Sequence, residues 1–388
     1  SLYLGSYASG NNYMDMSAIT PSSMQLNKLK WETTTEYNTG LDATFLKGKL
    51  RFTVDVYQKY VKDLLQPKVK MPTTIGYGNG YQISYMNSGK MTNKGWEFRV
   101  DAVPFQNKDW RVGVYFNIAH NENKITEMPD NYIEENYTFG NGNYAYRREE
   151  GRPMGSFYGY RYKGVYQNKD ATYARDIEGN VMKDISGNAI VMRIGSYTVA
   201  PGDAIYEDVN HDGVINQYDI VYLGNSNPRL TGGAGLNVSY KQFKLSAIFY
   251  GRYGQDVVNA TRLNNESMRG IDNQGTAVLR RWRNEGDQTD IPRALYGEGY
   301  NTLGSDRFVE DASYLRLKSL SFTYRLPKKA IQRWGFNNID VYVTGYNLFT
   351  WTKYTGQDPE VKTENTYARD TATTPASIQL VAGFNLSF

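Results

Sequence analysis

The last eleven residues constrain this chain most. Ile378, Leu380, Ala382, Phe384, Leu386 and Phe388 alternate with Gln379, Val381, Gly383, Asn385 and Ser387. A period of two puts the first set on one face of a strand and the second on the other. The strand ends on a bare aromatic residue. Soluble domains rarely finish this way, whereas an outer-membrane β-barrel closes on such a strand with its apolar side chains turned to lipid.

Composition narrows the choice. The chain has 388 residues and no cysteine, which excludes disulfides, thiolate metal sites and a cysteine nucleophile. No run approaches the ~18 apolar residues of a membrane helix, so a helical membrane protein is excluded. A barrel is not, because its strands alternate and its lumen and loops are polar. Tyr (34 residues) and Gly (37) are abundant. Tyr at that level suits aromatic girdles and a carbohydrate- or peptide-contacting surface; a soluble, Tyr-rich β-protein is the alternative. Net charge is +4 with acids and bases mixed, and no basic stripe points to nucleic acid. The opening at Ser1 is Tyr/Gly/Ser-rich, shows no signal peptide, and reads as the middle of a longer polypeptide.

Hairpins organise the rest. Thr39, Leu41, Ala43 and Phe45 lead into a turn at Leu46-Lys47-Gly48-Lys49, and Leu50, Phe52, Val54, Val56 and Tyr60 return. Trp96, Phe98, Val100 and Ala102 pair with Trp110, Val112, Val114, Phe116 and Ile118 across a turn at Pro104 to Asp109. Ala234 to Tyr240 pair with Phe243 to Phe249 across Lys241-Gln242. Leu320, Phe322, Tyr324 and Leu326 alternate until Pro327, a short helical turn is expected over Lys328 to Gly335, and Ile339, Val341 and Val343 resume toward Trp351.

These turns are short, and the segments between hairpins are long: about 63–91, 121–229, 254–305 and 352–374. Short turns at one end and long loops at the other is the layout of a transmembrane antiparallel barrel, periplasmic and extracellular respectively. A soluble sandwich has similar loops at both ends. The count is about nine spanning strands over 1–388, with 121–229 and 254–305 as extracellular loops. Single-chain bacterial barrels have even strand numbers, and an open edge in lipid leaves backbone groups unpaired. The remaining strands are therefore expected N-terminal to Ser1 or from another polypeptide. The lipid face is expected to carry Leu50, Phe52, Val54, Leu236, Val238, Leu320, Phe322, Ala382 and Phe384.

Several motifs resemble one family in order and spacing. They are Leu29-Lys30-Trp31-Glu32-Thr33-Thr34-Thr35; Asn87-Ser88-Gly89-Lys90 with Asn93-Lys94-Gly95-Trp96-Glu97; and Gly151-Arg152-Pro153 through Phe157-Tyr158-Gly159-Tyr160 to Gly164-Val165-Tyr166-Gln167. Further along come Pro201-Gly202-Asp203, Asp212-Gly213, Gly224-Asn225-Ser226-Asn227-Pro228, Tyr314-Leu315-Arg316-Leu317-Lys318 and Asn347-Leu348-Phe349-Thr350-Trp351. Together they resemble the C-terminal part of a SusC/RagA-type TonB-dependent transporter. The resemblance implies a barrel of about 22 strands with an N-terminal plug and a TonB-contacting segment, all upstream of this chain. It implies an outer membrane of a Gram-negative bacterium, lipid and lipopolysaccharide around the wall, a SusD-like surface lipoprotein as lid, and import of oligosaccharides or peptides. No bond chemistry is implied. A secreted glycan-binding module and a passive porin are the alternatives.

The sharpest local signal is Asp208 to Asp219. Side-chain oxygens of Asp208, Asn210, Asp212, Asn216 and Asp219 fall at loop positions 1, 3, 5, 9 and 12, Gly213 at 6, and the Val214 carbonyl at 7. That is the spacing of a Ca²⁺ loop, with Asp for the usual Glu at 12. The flanking Ala204-Ile205-Tyr206 reads as extended rather than helical. A structural Ca²⁺ and a metal-free Asx-rich turn both fit. His120 and His211 have no nucleophile partner in a motif, and His120 is expected to end a strand at the outer interface. The acids Glu149, Glu150, Glu364 and Asp370 read as solvated loop charge, because nothing holds a pair at the separation glycoside hydrolysis needs. Tyr158, Tyr160, Tyr166, Trp282, Tyr296, Tyr300 and Tyr354 are the candidates for cargo or partner contact, against loop packing or the membrane girdle. Arg280-Arg281-Trp282-Arg283 is a basic cluster suited to lipopolysaccharide phosphates, the lid protein or water.

Overall fold

Alternating segments of this length pair side by side, and in the computed structural model nine of them form one antiparallel sheet. Residues 5–13, 16–70, 82–87, 89–128, 140, 142–297, 299–364 and 367–388 are described. Ser1, Ser88 and parts of the 63–91, 121–229, 254–305 and 352–374 segments lie outside them. The strands are β1 (Thr33–Phe45), β2 (Leu50–Lys62), β3 (Lys90–Gln106), β4 (Trp110–Glu127) and β5 (Leu230–Tyr240). They continue as β6 (Phe243–Tyr253), β7 (Tyr314–Arg325), β8 (Asn338–Thr352) and β9 (Gln379–Ser387). Each pairs with the next in chain order, and among the described residues β1 and β9 remain the two edges.

One end of the sheet carries only tight connections. A 3₁₀ turn, Leu46–Gly48, joins β1 to β2 with Lys47 at φ 56° and Gly48 at φ 87°. Lys241-Gln242 joins β5 to β6, with Tyr240 opposite Phe243. Between β7 and β8 the chain makes the expected helical turn, Lys328–Ile331 then Gln332–Trp334, ended by Gly335 at φ 77°. That left-handed terminus is the ordinary role of glycine after a helix. The second hairpin is tighter than expected. β3 runs through Pro104 to Gln106, and the turn is Asn107 to Asp109, where the Asn107 side chain accepts the N–H groups of Asp109 (2.9 Å) and Trp110 (2.7 Å). A register shift between Ala102 and Phe105 accommodates Pro104, since proline is tolerated in a sheet only at such irregularities or at edges.

Register gives each face its chemistry. Ala382, Val343, Phe322, Leu245, Val238, Val112 and Phe105 follow one another across seven strands. Leu380, Gly345, Leu320, Ala247, Leu236, Val114, Ala102 and Leu50 form the next row on the same face. The opposite face carries Asp42, Thr53, Arg99, Asn117, Gly233, Tyr250, Arg316 and Thr350 in register. One side is hydrocarbon and the other hydrogen-bonding, as for a wall between lipid and a wet lumen. Leu380 and Phe384 project freely from the apolar side (76% and 67% exposed). Ile378 and Phe388 lie just outside the terminal strand, and the Phe388 ring sits 5.2 Å from that of Phe336.

The strands overshoot the expected length on the long-loop side. β4 continues to Glu127, so His120 does not end it; it faces outward beside Trp96, ring centroids 6.0 Å apart. The long segments at that end fold into a canopy with its own core. Its largest part joins Tyr158, Tyr160, Tyr166, Ile194, Tyr206, Ile215 and Leu303. A second part joins Tyr144, Phe157, Val258, Leu263 and Phe308.

Candidate functional site

The canopy is where this sequence places its unusual polar groups, and buried ion pairs tie it together. Asp203 is fully buried. Its carboxylate accepts from Arg293 Nε (2.7 Å), the Tyr197 hydroxyl (2.8 Å), the Ala200 N–H (2.8 Å) and Asn301 Nδ2 (3.2 Å). Three separate loop segments therefore meet on one side chain. Burial and the hydrogen bond to Asp203 push the Tyr197 hydroxyl up to about 12. Arg262 and Arg307 both reach Glu266, at 2.9 and 2.6 Å, and Arg262 also reaches Glu310 at 3.1 Å.

The canopy is pinned to the lumen wall by the last long segment. Arg316 on β7 is almost wholly buried; its guanidinium holds Asp358 at 2.5 Å and Glu360 at 2.8 Å. Lys318 reaches the same Glu360 oxygen at 2.8 Å. Arg316 and Lys318 face the lumen beside register shifts in both neighbouring pairings, between Ile248 and Phe249 and between Leu317 and Ser319. Extra residues at such points re-aim side chains next to functional sites.

Two recesses open on the polar face beneath these loops. One, of about 510 Å³, is lined by Tyr57, Met91, Asn93, Asn121, Asn123, Tyr146, Met154, Asn227 and Thr231, amide- and ring-rich with no acid or lysine. Tyr57 donates to Asn121 (3.1 Å) and Asn123 to Asn93 (2.8 Å). The other, of about 780 Å³, is charged: Arg252, Asp358, Glu360, Lys362 and Arg369 line it with Thr371, Thr373 and Thr374. The first can hydrogen-bond and stack on neutral groups, and the second can pair with either sign of charge.

The loop aromatics divide. Tyr158, Tyr160, Tyr166 and Tyr354 are buried, so the expectation that they meet cargo or partner is corrected to a packing role. Tyr158 donates to Glu149 (2.7 Å), Tyr160 to the Asn216 carbonyl (3.0 Å) and Tyr354 to Asp370 (2.6 Å). Asp370 is therefore a buried anchor for a hydroxyl and not solvated charge, whereas Glu149 accepts from Tyr158 while staying exposed, as expected of a loop acid. Burial, then the Asp370 hydrogen bond, raises the Tyr354 pKa. Trp282 lies over Gly202, where a Cβ would come within 2.3 Å of its ring, and Tyr300 stacks on Tyr197 at 4.9 Å. Tyr296 is the one of the seven that stands free, 77% exposed.

Residues Asp208 to Asp219 form a closed loop. Asp208 accepts the N–H groups of Gly213 (2.8 Å) and Asp212 (3.2 Å), and Asp212 accepts that of Val214 (2.8 Å). Asp219 accepts from Val209 and from Asn216, both at 2.8 Å, and Asn216 reciprocates as a cap on the short turn Gln217–Asp219. His211 and Gly213 take positive φ, 55° and 83°. Burial raises the Asp219 pKa, and the charges of Asp208 and Asp212 add to the shift. The ring nitrogen of His211 meets the Arg175 carbonyl (3.3 Å), and that of His120 meets the Arg229 carbonyl (2.6 Å).

A family model described as "TonB dependent receptor-like, beta-barrel" matches residues 1–348. The chain belongs to the TonB-dependent receptor β-barrel family. TonB-dependent receptor P3 of Formosa agariphila is 32% identical over 346 residues, covering 87% of this chain and 32% of that protein. TonB-dependent receptor SusC of Bacteroides thetaiotaomicron is 29% identical over 391 residues, covering 98% and 34%. Among solved structures, that of the RagAB peptide transporter superposes with a TM-score of 0.71 at 28% identity, covering all of this chain and 39% of that one. The chain thus spans about a third of the length of the curated relatives it matches. The family consists of outer-membrane transporters and receptors rather than enzymes. In this receptor barrel the residues that sequence reasoning missed are the canopy anchors Asp203, Arg293, Arg316 and Glu360. The available signal was a pair of cations, Arg316 and Lys318, at inward positions of a strand whose outward positions are apolar.

Proposed function

We propose that this barrel wall belongs to an importer that passes oligosaccharides or peptides through its lumen, driven by TonB and covered by a SusD-like surface lipoprotein. The observation that carries this reading is the two-faced sheet: apolar outside, hydrogen-bonding inside, with recesses under a pinned canopy at one end only. The likeness to SusC and to the RagAB peptide transporter over nearly the whole chain supports it. A wall of this kind selects cargo by fit and hydrogen bonding and performs no bond chemistry. The test is uptake of labelled oligosaccharide and peptide pools by cells carrying the full-length receptor. Uptake is expected to vanish when TonB is removed and to fall when the adjacent surface lipoprotein is removed. Uptake that persists without TonB would identify a passive porin instead.

The 208–219 loop is proposed to take a structural Ca²⁺. Support comes from the ligand spacing and from three carboxylates within mutual electrostatic reach, none of them ion-paired with Lys or Arg among the described residues. Against it, no cluster of three or more acidic or histidine side chains close enough to hold a metal occurs among the described residues. Binding should therefore be weak, on the order of 10⁻⁴–10⁻³ M as in extracellular calcium modules. Calorimetric titration of the full-length receptor should show a saturable heat that disappears in an Asp208→Ala/Asp212→Ala variant. Absence of that heat in the wild type would leave the loop as a metal-free Asx turn.

A further inference from the structure

The apolar face of the sheet has a dent that the transport reading leaves unused. Gly232 on β5 and Gly251 on β6 are direct register partners and both face outward, in the row Ile118, Gly232, Gly251, Leu315, Trp351. Two adjacent positions without side chains open a groove in a wall otherwise covered by bulky residues. The backbones around it pack closely: a Cβ on Gly232 would lie 2.6 Å from the Asn117 carbonyl, and one on Gly251 2.8 Å from that of Tyr314. The groove measures about 710 Å³, and its walls are Phe116, Phe249, Tyr253, Leu315 and Trp351. That volume lies within the roughly 300–1,000 Å³ range of small-molecule sites.

Its position selects the occupant. The groove lies where β5 begins, β6 ends, β7 begins and β8 ends, at the end of the sheet that carries the long loops. In the outer-membrane reading this is the depth of the outer leaflet. The four strands are interior to the sheet, so further wall strands cannot cover it. Lys353 stands exposed at its rim, one residue past β8, with no acid partner among the described residues. Asp311, on the same rim, is engaged with the backbone N–H (2.8 Å) and hydroxyl of Ser313. An apolar slot capped by a free cation at the leaflet surface matches an acyl chain whose headgroup carries phosphate.

We propose that this groove binds an acyl chain of a phosphorylated outer-leaflet glycolipid, the lipid A portion of lipopolysaccharide, with Lys353 on its phosphate. The proposal rests on the outer-membrane reading above. It is tested on the full-length receptor extracted from outer membranes in mild detergent, by native mass spectrometry and by mass spectrometry of extracted lipid. Ala234→Phe fills the slot from its lipid-facing wall, and Lys353→Glu reverses the rim charge. The wild type is expected to retain lipid A, and each variant to lower retention by about tenfold. Equal retention in both variants overturns the proposal. So does retention of phospholipid alone, or a protein dimer that Ala234→Phe dissociates without any bound lipid. Heat-modifiable gel mobility is read in parallel. A receptor that never appears as a folded barrel in the outer-membrane fraction refutes the membrane reading itself, whereas a folded barrel without lipid A refutes only the groove.

Discussion

Replacing Asp203 by Ala should cost the canopy about 3–5 kcal/mol, the usual effect of removing one partner from a buried charge pair. The carboxylate is fully buried and ties Arg293, Tyr197, Ala200 and Asn301 together. Without it the Arg293 guanidinium, about two-thirds buried, loses its acid. Water reaches part of Arg293 and relieves some of that loss, so the lower end of the range is the better estimate. The barrel strands make no contact with Asp203 among these bonds and should remain folded. The measurement is limited proteolysis of the receptor on intact cells, with heat-modifiable mobility as the control. Rapid cleavage within the loops and an unchanged barrel band are expected. Wild-type protease resistance in Asp203→Ala would sink the idea that this cluster holds the canopy.

Ala382→Arg should destabilise the barrel by about 2–4 kcal/mol, the measured range for a cation on the lipid face near the midplane. Ala382 is the fourth residue of the nine in β9, opposite Val343, and its row is apolar across seven strands. The companion change Val381→Arg places the same charge on the lumen face, beside Thr344, and should cost far less. Urea unfolding of both variants in the same lipid gives the comparison. Equal losses would mean that the two faces have been assigned the wrong way round.

The wall was legible because its signal is periodic. Each strand repeats its facing every second residue, and each tight turn supplied residues suited to it, such as Gly48 and Lys241-Gln242. Even so, the alternation stopped too early at residue 121, because polar residues on both faces of β4 above the hydrocarbon erase the apolar rhythm while the ladder continues. The canopy was not legible. Its fold depends on pairs such as Asp203 with Arg293, which no local pattern marks. Pro201-Gly202-Asp203 stood out as a motif, yet nothing near it named Arg293. Tyrosine stays ambiguous in the sequence for a related reason. A flat ring with a hydroxyl serves a packed loop core as well as a binding surface, and only tertiary burial separates Tyr160 from Tyr296.

The link between Asp203 and Arg293 closes a span of 90 residues, with β5 and β6 lying between them. A span that long pays its closure entropy before any contact rewards it. Pairing of β5 with β6 shortens the effective span and lowers that cost. The expected order is therefore that neighbouring strands of the wall pair first and the cap above them sets later.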